Sequence, residues 1–320
     1  MKDNDNTQAL IVSGAPSYAV EAVNTISAPL FLRWSQYIDK TDNTIKTYTK
    51  AARAFMEYLQ ERGIDRPTSL DILEYKRTLE GKGLSPSSIN GHLAALRQFF
   101  SWTESEGLYK NIAKGIKSKK LPSGHKRTYF KKAEFNQIMA QVDKGTLQGK
   151  RDRALLAVVA VCGLRDIEVV RANIEDIEIA GGDNVLYVQG KGRDEKAEYQ
   201  KLKEAEPVLR EYLEARGETD KSAPLFPSMS RRDNGERLTT KSVSRIIKGY
   251  IVKAGWNDKR HTAHSLRHSA ITWALLAGAP IQEVSFFARH RNISTTMIYA
   301  HDQTAENNTC ADKICEGLIL

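Results

Sequence analysis

Apolar positions along the chain fall into short stretches with a helical beat, set apart by turn-forming residues. In TDNTIKTYTKAARAFMEYLQERG, Ile45, Tyr48, Ala52, Phe55 and Leu59 recur at steps of three or four. That spacing draws one apolar stripe down a helix, and Gly63 ends it. Thr68 or Ser69 caps the next predicted helix, whose apolar positions are Leu70, Leu73 and Leu79. SPSSINGHLAALRQFFSWTESEG repeats the arrangement. Ile89, Leu93, Leu96 and Phe100 line one face, Ser85-Pro86 supplies a capped start, and Gly107 a stop. The helical pattern begins at Ser27, so residues 27–109 read as a bundle of about four short helices. Residues 1–26 lack periodic apolar positions and read as a flexible tail.

Residues 110–132 break the pattern. They hold nine Lys or Arg and no Asp or Glu, and Leu121-Pro122-Ser123-Gly124 interrupts any helix there. The stretch reads as a basic linker, either a solvated spacer or a strap along a phosphate backbone. The complete absence of acidic residues favours the strap, with Lys117, Lys119, Lys120, Lys126 and Arg127 as its contacts. Beyond it, KRDRALLAVVAVCG is apolar nearly all round, which predicts a buried helix ended by Gly163. DNVLYVQGKGRDEKAEYQKLKEA alternates about a glycine-flanked turn and predicts a hairpin with Gly190-Lys191-Gly192 at its tip. Ile177–Ile179 adds a third strand, and the chain after Glu206 is mostly helical. The expected fold is mainly α with a small β-sheet, a helical domain followed by an α+β domain over residues 133–320.

Composition narrows the partners. Net charge is +9 over 320 residues, with 41% apolar and 27% charged positions, which suits a globular protein that meets a polyanion, most commonly nucleic acid. No apolar run approaches the roughly 18 residues of a membrane span, and MKDNDNTQ does not resemble a secretory leader. Three cysteines form no disulfide framework and fit a reducing cytoplasm. Cys310 and Cys315 lack the further ligands a structural zinc needs, so no metal is expected.

Four motifs carry candidate chemistry. In CGLRDIEVV, Arg165 and Glu168 stand one helical turn apart, as a surface ion pair or part of a site. In QGKGR, Lys191 is an ammonium on a glycine-flanked turn, in a basic turn or a site. In HTAHSLRHSAITWALLAG, His264, Arg267 and His268 open a helix whose body carries Ile271, Trp273, Leu275 and Leu276. They are placed either to cap it or to meet an anion at its positive end. A zinc reading of His264 and His268 is poor, since no glutamate follows His264 and Arg267 repels a cation. In ARHRNISTTMIYAHD, Tyr299 lies nine residues after His290 and alone would more often be packing. Together the arginines, lysine, histidines and tyrosine suit phosphoryl transfer. Arginine forks clamp phosphate oxygens, histidine and lysine move protons, and a tyrosine hydroxyl attacks phosphorus.

The order of these motifs, behind a helical domain and a basic linker, resembles the tyrosine recombinases, or phage-type integrases. It is nearest the compact Xer-like and mobile-element members, over about residues 27–310. The resemblance implies a SAM-like core-binding domain and a catalytic domain in a C-shaped clamp on DNA. It implies Tyr299 as nucleophile, leaving a 3′-phosphotyrosyl bond, with Arg165 and Arg267 on the non-bridging oxygens. Lys191 would protonate the departing 5′-oxygen, His264 would assist proton transfer, and His290 would donate to the phosphate. Glu168 and His268 would support them. It further implies four protomers on two duplexes joined through a Holliday junction, with or without accessory proteins. No cofactor, metal or ATP is implied, and the protein would be cytoplasmic and nucleoid-associated. The rivals are a type IB topoisomerase and a catalytically silent DNA-binding relative.

Two departures stand out. The family usually has Leu-Gly-His where this chain has Ala288-Arg289-His290, so Arg289 adds a phosphate contact or alters the helix end that places His290. After the GKG turn, Lys196 competes with Lys191 for the leaving group, and the turn favours Lys191. Residues 1–26 are too few for an additional arm-binding domain. The tail from about 303, ending CADKICEGLIL, is expected either to dock on a neighbouring protomer or to be disordered.

Overall fold

The computed structural model describes residues 26, 28–121, 128–190 and 195–300. The chain divides into two compact units between Ser123 and Gly124. The first holds α1 (Ala28–Tyr37), α2 (Asp42–Glu61), α3 (Ser69–Gly81) and α4 (Pro86–Ser105). Phe55, Leu59, Ile89, Leu93, Leu96 and Phe100 are buried at its centre, beside Trp34 and a Phe31–Phe99 stack with ring centroids 4.0 Å apart. The local signals explain the boundaries. The Ser85 hydroxyl accepts from the Ser88 N–H at 3.1 Å and Pro86 opens the helix, while Gly63 ends α2 in the left-handed conformation.

On α3 the buried face is Ile72, Tyr75 and Leu79, whereas Leu70 is 58% exposed and Leu73 37%. The helix carries two competing apolar stripes nearly half a turn apart, and the one with the larger aromatic wins the core. The basic stretch is also less linker-like than its charge suggests. Ile112, Ala113 and Ile116 enter the first core. The carbonyls of Ile116 and Lys117 accept from Arg97 and Lys76 at 2.6 and 2.9 Å. Asn90 holds the Lys119 backbone at both its N–H and its carbonyl, at 2.7 and 2.9 Å. At the other end Phe130 is wholly buried in the second core. Its N–H donates to the Ser269 hydroxyl and its carbonyl accepts from the Trp273 indole, each at 2.8 Å.

The second unit runs α5 (Lys132–Ala140), α6 (Leu147–Cys162), α7 (Asp166–Arg171), a 3-10 turn, then β1 (Ile177–Ala180), β2 (Asp183–Val188) and β3 (Glu198–Lys201). It continues with α8 (Ala205–Arg216), α9 (Thr240–Lys253), α10 (Ala263–Leu276), α11 (Ile281–Phe287) and α12 (Ser294–Ala300). Helix α6 is buried on nearly every side, as its composition requires. Its buried Arg151 and Asp152 satisfy each other, the Pro227 carbonyl and the Tyr250 hydroxyl. The sheet is antiparallel in the order β1-β2-β3, with Ala180 opposite Asp183 and Val188 opposite Glu198. Gly181 and Gly182, at φ of 56° and 80°, make the two-residue turn that strand twist favours. Leu276, on the apolar body of α10, is exposed. Among the described residues no helix is long and apolar enough to cross a membrane.

Candidate active site

Two helix ends meet to form the site. Helix α6 stops at Gly163, whose left-handed backbone turns the chain toward Arg165, the N-cap of α7. Helix α11 stops at Ala288, and Arg289 takes the left-handed position beyond it at φ 53°. The Arg289 N–H reaches the Phe286 carbonyl at 2.8 Å and the His290 N–H reaches that of Ser285 at 3.1 Å, a Schellman closure. Each end presents carbonyls with no helical partner and the negative pole of a helix dipole. Arginines fill both. Arg267, buried on α10, donates to the carbonyls of Gly163 and Ala288. Arg165 donates to those of Ala288 and Arg289 at 3.2 and 2.9 Å.

Glu168 organises this cationic cluster. It is completely buried, so its pair with Arg165 is no ordinary surface bridge. One carboxylate oxygen accepts from the Arg165 guanidinium at 2.8 Å and from Arg289 Nε at 3.2 Å. The other accepts from the Arg165 N–H at 2.8 Å and from Arg289 Nη2 at 2.7 Å. Arg267 stands 3.9 Å away. Burial would push the Glu168 carboxyl up, but the charge and hydrogen bonds of Arg289, then those of Arg165, hold it below its ordinary range. Arg267 moves the other way. Burial, with Arg165 and Arg289 nearby, pushes its guanidinium down to about 9. Three guanidiniums against one carboxylate leave excess positive charge that an oxyanion would offset.

Tyr299, on α12, is 8% exposed and packs with Ile271, Leu275, Val284 and Ala288. Its hydroxyl is hydrogen-bonded to His268 Nδ1, with the two rings 5.2 Å apart. His290 lies near-parallel to the tyrosine ring at 6.4 Å, and its Nδ1 meets the buried Thr296 hydroxyl at 2.8 Å. His264 is exposed, its ring 4.4 Å from that of His268. At the start of α10 the Ser265 hydroxyl accepts from the Thr262 N–H at 3.0 Å. Among the described residues no group of three or more His, Cys, Asp or Glu could hold a metal.

The phage integrase family matches residues 128–306, and the N-terminal SAM-like domain of phage integrases matches residues 33–107. The chain belongs to the phage integrase family, the tyrosine recombinases. The tyrosine recombinase XerA of Pyrococcus furiosus is 33% identical over 86% of this chain and 90% of its own length. The tyrosine recombinase XerC of Serratia marcescens is 32% identical over 80% of this chain and 82% of its own. Among solved structures, the XerH recombinase in a post-cleavage complex with difH superposes with a TM-score of 0.67. It has 22% identity over 85% of this chain and 80% of that one. The Tn1549 transposon integrase with transposon right end DNA superposes with a TM-score of 0.68, at 16% identity over 91% and 98%. At those identities the structures bear on the fold alone. As a tyrosine recombinase the protein is an enzyme of site-specific DNA cleavage and rejoining.

Of the recombinase's predicted site residues, Arg165, Glu168 and Arg267 meet at the two helix ends, and His264, His268, His290 and Tyr299 lie ring beside ring. Lys191 lies outside the described residues, as do Lys126 and Arg127. Its rival Lys196 is held by Asp176 at 2.6 and 2.8 Å. Arg289, expected to add a phosphate contact or to alter the helix end that places His290, closes the end of α11 and turns its side chain inward. Its side chain is 3% exposed, and its nitrogens donate to Glu168, to the Phe287 carbonyl at 2.8 Å and to the Gly163 carbonyl at 2.9 Å. Lys117 and Lys120 are exposed, whereas Lys119 pairs with Glu80 at 3.0 Å. Sequence reasoning missed Thr296 and the four acceptor carbonyls of Gly163, Phe287, Ala288 and Arg289. A threonine three residues before the tyrosine was visible, but a backbone acceptor has no residue signature.

Proposed function

We propose that this recombinase breaks one DNA strand at a time by attack of the Tyr299 oxygen on the scissile phosphorus. The new P–O bond makes a 3′-phosphotyrosine, the P–O5′ bond breaks, and the phenolic proton passes to His268. Arg165 and Arg267 hold the non-bridging oxygens, where charge grows in the transition state. Lys191 protonates the departing 5′-oxygen, His264 assists proton movement, and His290 donates to the phosphate. Attack by a 5′-hydroxyl of the partner strand reverses each step, and the ester conserves the bond's free energy, so rejoining needs no ATP. Two rounds pass through a Holliday junction on a tetramer holding two duplexes of double-stranded DNA. The observation that carries the reading is the Tyr299 hydroxyl on His268, in one packed cluster with Ala288, whose carbonyl both Arg165 and Arg267 grip. The ion pair on Lys196 supports Lys191 as the acid.

A library of nicked duplexes with a randomised central window tests this. A strand cut close to a nick sheds its short 5′-hydroxyl fragment, which traps the covalent complex. Wild type is expected to yield denaturation-stable adducts enriched in one sequence, and Tyr299→Phe none. Adducts without sequence preference would favour a topoisomerase. No adduct at all, or an undiminished one with Tyr299→Phe, overturns the assignment.

A further inference from the structure

We propose that Arg289 is a positioning residue of the phosphate clamp: by filling two acceptor positions of Glu168 from inside, it keeps Arg267 and the remaining donors of Arg165 from being drawn to the carboxylate. The proposal rests on the reading of those two arginines as phosphate ligands. Three observations carry it.

The first is the backbone. Arg289 fills the left-handed position of a Schellman closure, a slot that suits glycine and penalises a side chain with a Cβ. A residue kept there against that preference is held by its side chain. The second is direction. All three guanidinium nitrogens donate to acceptors inside the protein, and the side chain is 3% exposed, so it offers no face to DNA. The third is the occupancy of Glu168. An ionised carboxylate has about four lone-pair positions. Arg165 supplies two donors, its own N–H and one guanidinium nitrogen, and Arg289 supplies the other two as a fork.

Removing Arg289 changes both the geometry and the charge. Glu168, still fully buried, would draw its missing donors from Arg165 and from Arg267 at 3.9 Å. Those guanidiniums would then be aimed at the carboxylate and away from the phosphate. The charge of the three-arginine, one-glutamate cluster would also fall by one unit. The groups facing Glu168 are Arg165 on α7, Arg267 on α10 and Arg289 after α11.

The test uses the full chain as wild type, Arg289→Gly, Arg289→Lys, Glu168→Gln and the Glu168→Gln/Arg289→Gly double variant. Each is assayed on the nicked duplex library for single-turnover adduct formation, DNA half-saturation and the pH dependence of rate. Arg289→Gly suits the backbone and is expected to fold. Its rate is expected to fall roughly 10- to 100-fold with half-saturation little changed, as for a misplaced reacting group. Its acid limb is expected to move to higher pH, because burial of Glu168 is then less opposed. The double variant is expected to be no slower than Glu168→Gln alone, and Arg289→Lys, which keeps the charge without the fork, to fall between. Wild-type rate and acid limb in Arg289→Gly, or losses that multiply in the double variant, overturn the proposal. If wild type forms no adduct, the phosphate reading fails separately. Urea unfolding of the same four variants then decides whether Arg289 and Glu168 are coupled, and additive effects there overturn the proposal as well.

Discussion

At Gly163 one residue meets two demands. Its φ of 56° lies where L side chains are strained, and an added Cβ would stand 3.0 Å from two atoms of the Phe287 ring. Its carbonyl receives Arg267 and Arg289. Gly163→Ala is expected to lower unfolding free energy by about 1–3 kcal/mol, read by urea denaturation, and to slow adduct formation with it. Tyr299→Phe separates fold from chemistry. It removes the hydrogen bond to His268, a contact of a kind worth about 1 kcal/mol, so the urea midpoint stays close to wild type while adduct formation disappears. Glu168 supplies a pH signature. Its folded pKa lies below the unfolded value of 4.5. Its stabilisation is therefore fully present above pH 4.5 and is lost as pH falls through the folded value. Urea midpoints of wild type should drop more steeply below pH 4.5 than those of Glu168→Gln, and parallel curves would contradict the buried pair.

At the scale of elements, legibility tracked agreement among signals. In α4 the apolar stripe, the capped start and the glycine stop all point the same way and the stripe is buried; in α2 the stripe and the stop agree, with Ala52, Phe55 and Leu59 buried and Ile45 and Tyr48 half-buried. In α3 the cap was legible and the face was not, because two stripes share the helix and only tertiary packing chooses between them. Ile72→Ala is expected to cost about 2–4 kcal/mol, whereas Leu70→Gln and Leu73→Gln stay within about 0.5 kcal/mol, by urea unfolding of the whole chain. Isolated apolar residues in charged sequence were equally opaque: Ile112, Ile116 and Phe130 pack into cores, yet periodicity cannot register single anchors. The site was legible by residue type and order, since few other tasks need that set of arginines, histidines and a tyrosine. The aim of Arg289 was not, because the direction of its guanidinium follows from a helix end and a buried carboxylate far away in sequence.

For the whole molecule, a net charge of +9 predicts DNA binding that weakens steeply with salt, by a slope of about 0.9 per neutralised phosphate. Lys117 and Lys120 are exposed, and their replacement by Gln is expected to reduce that slope by about 1 each. Lys119→Gln should reduce it less, because that ammonium pairs with Glu80. Equal losses at all three would show that the pair opens on DNA. The central claim concerns one atom, the Tyr299 oxygen, and mass spectrometry of the trapped adduct addresses it directly. After digestion of protein and DNA, the peptide containing Tyr299 is predicted to carry a nucleotide through a phosphodiester on the tyrosine. A nucleotide on any other residue would contradict the account.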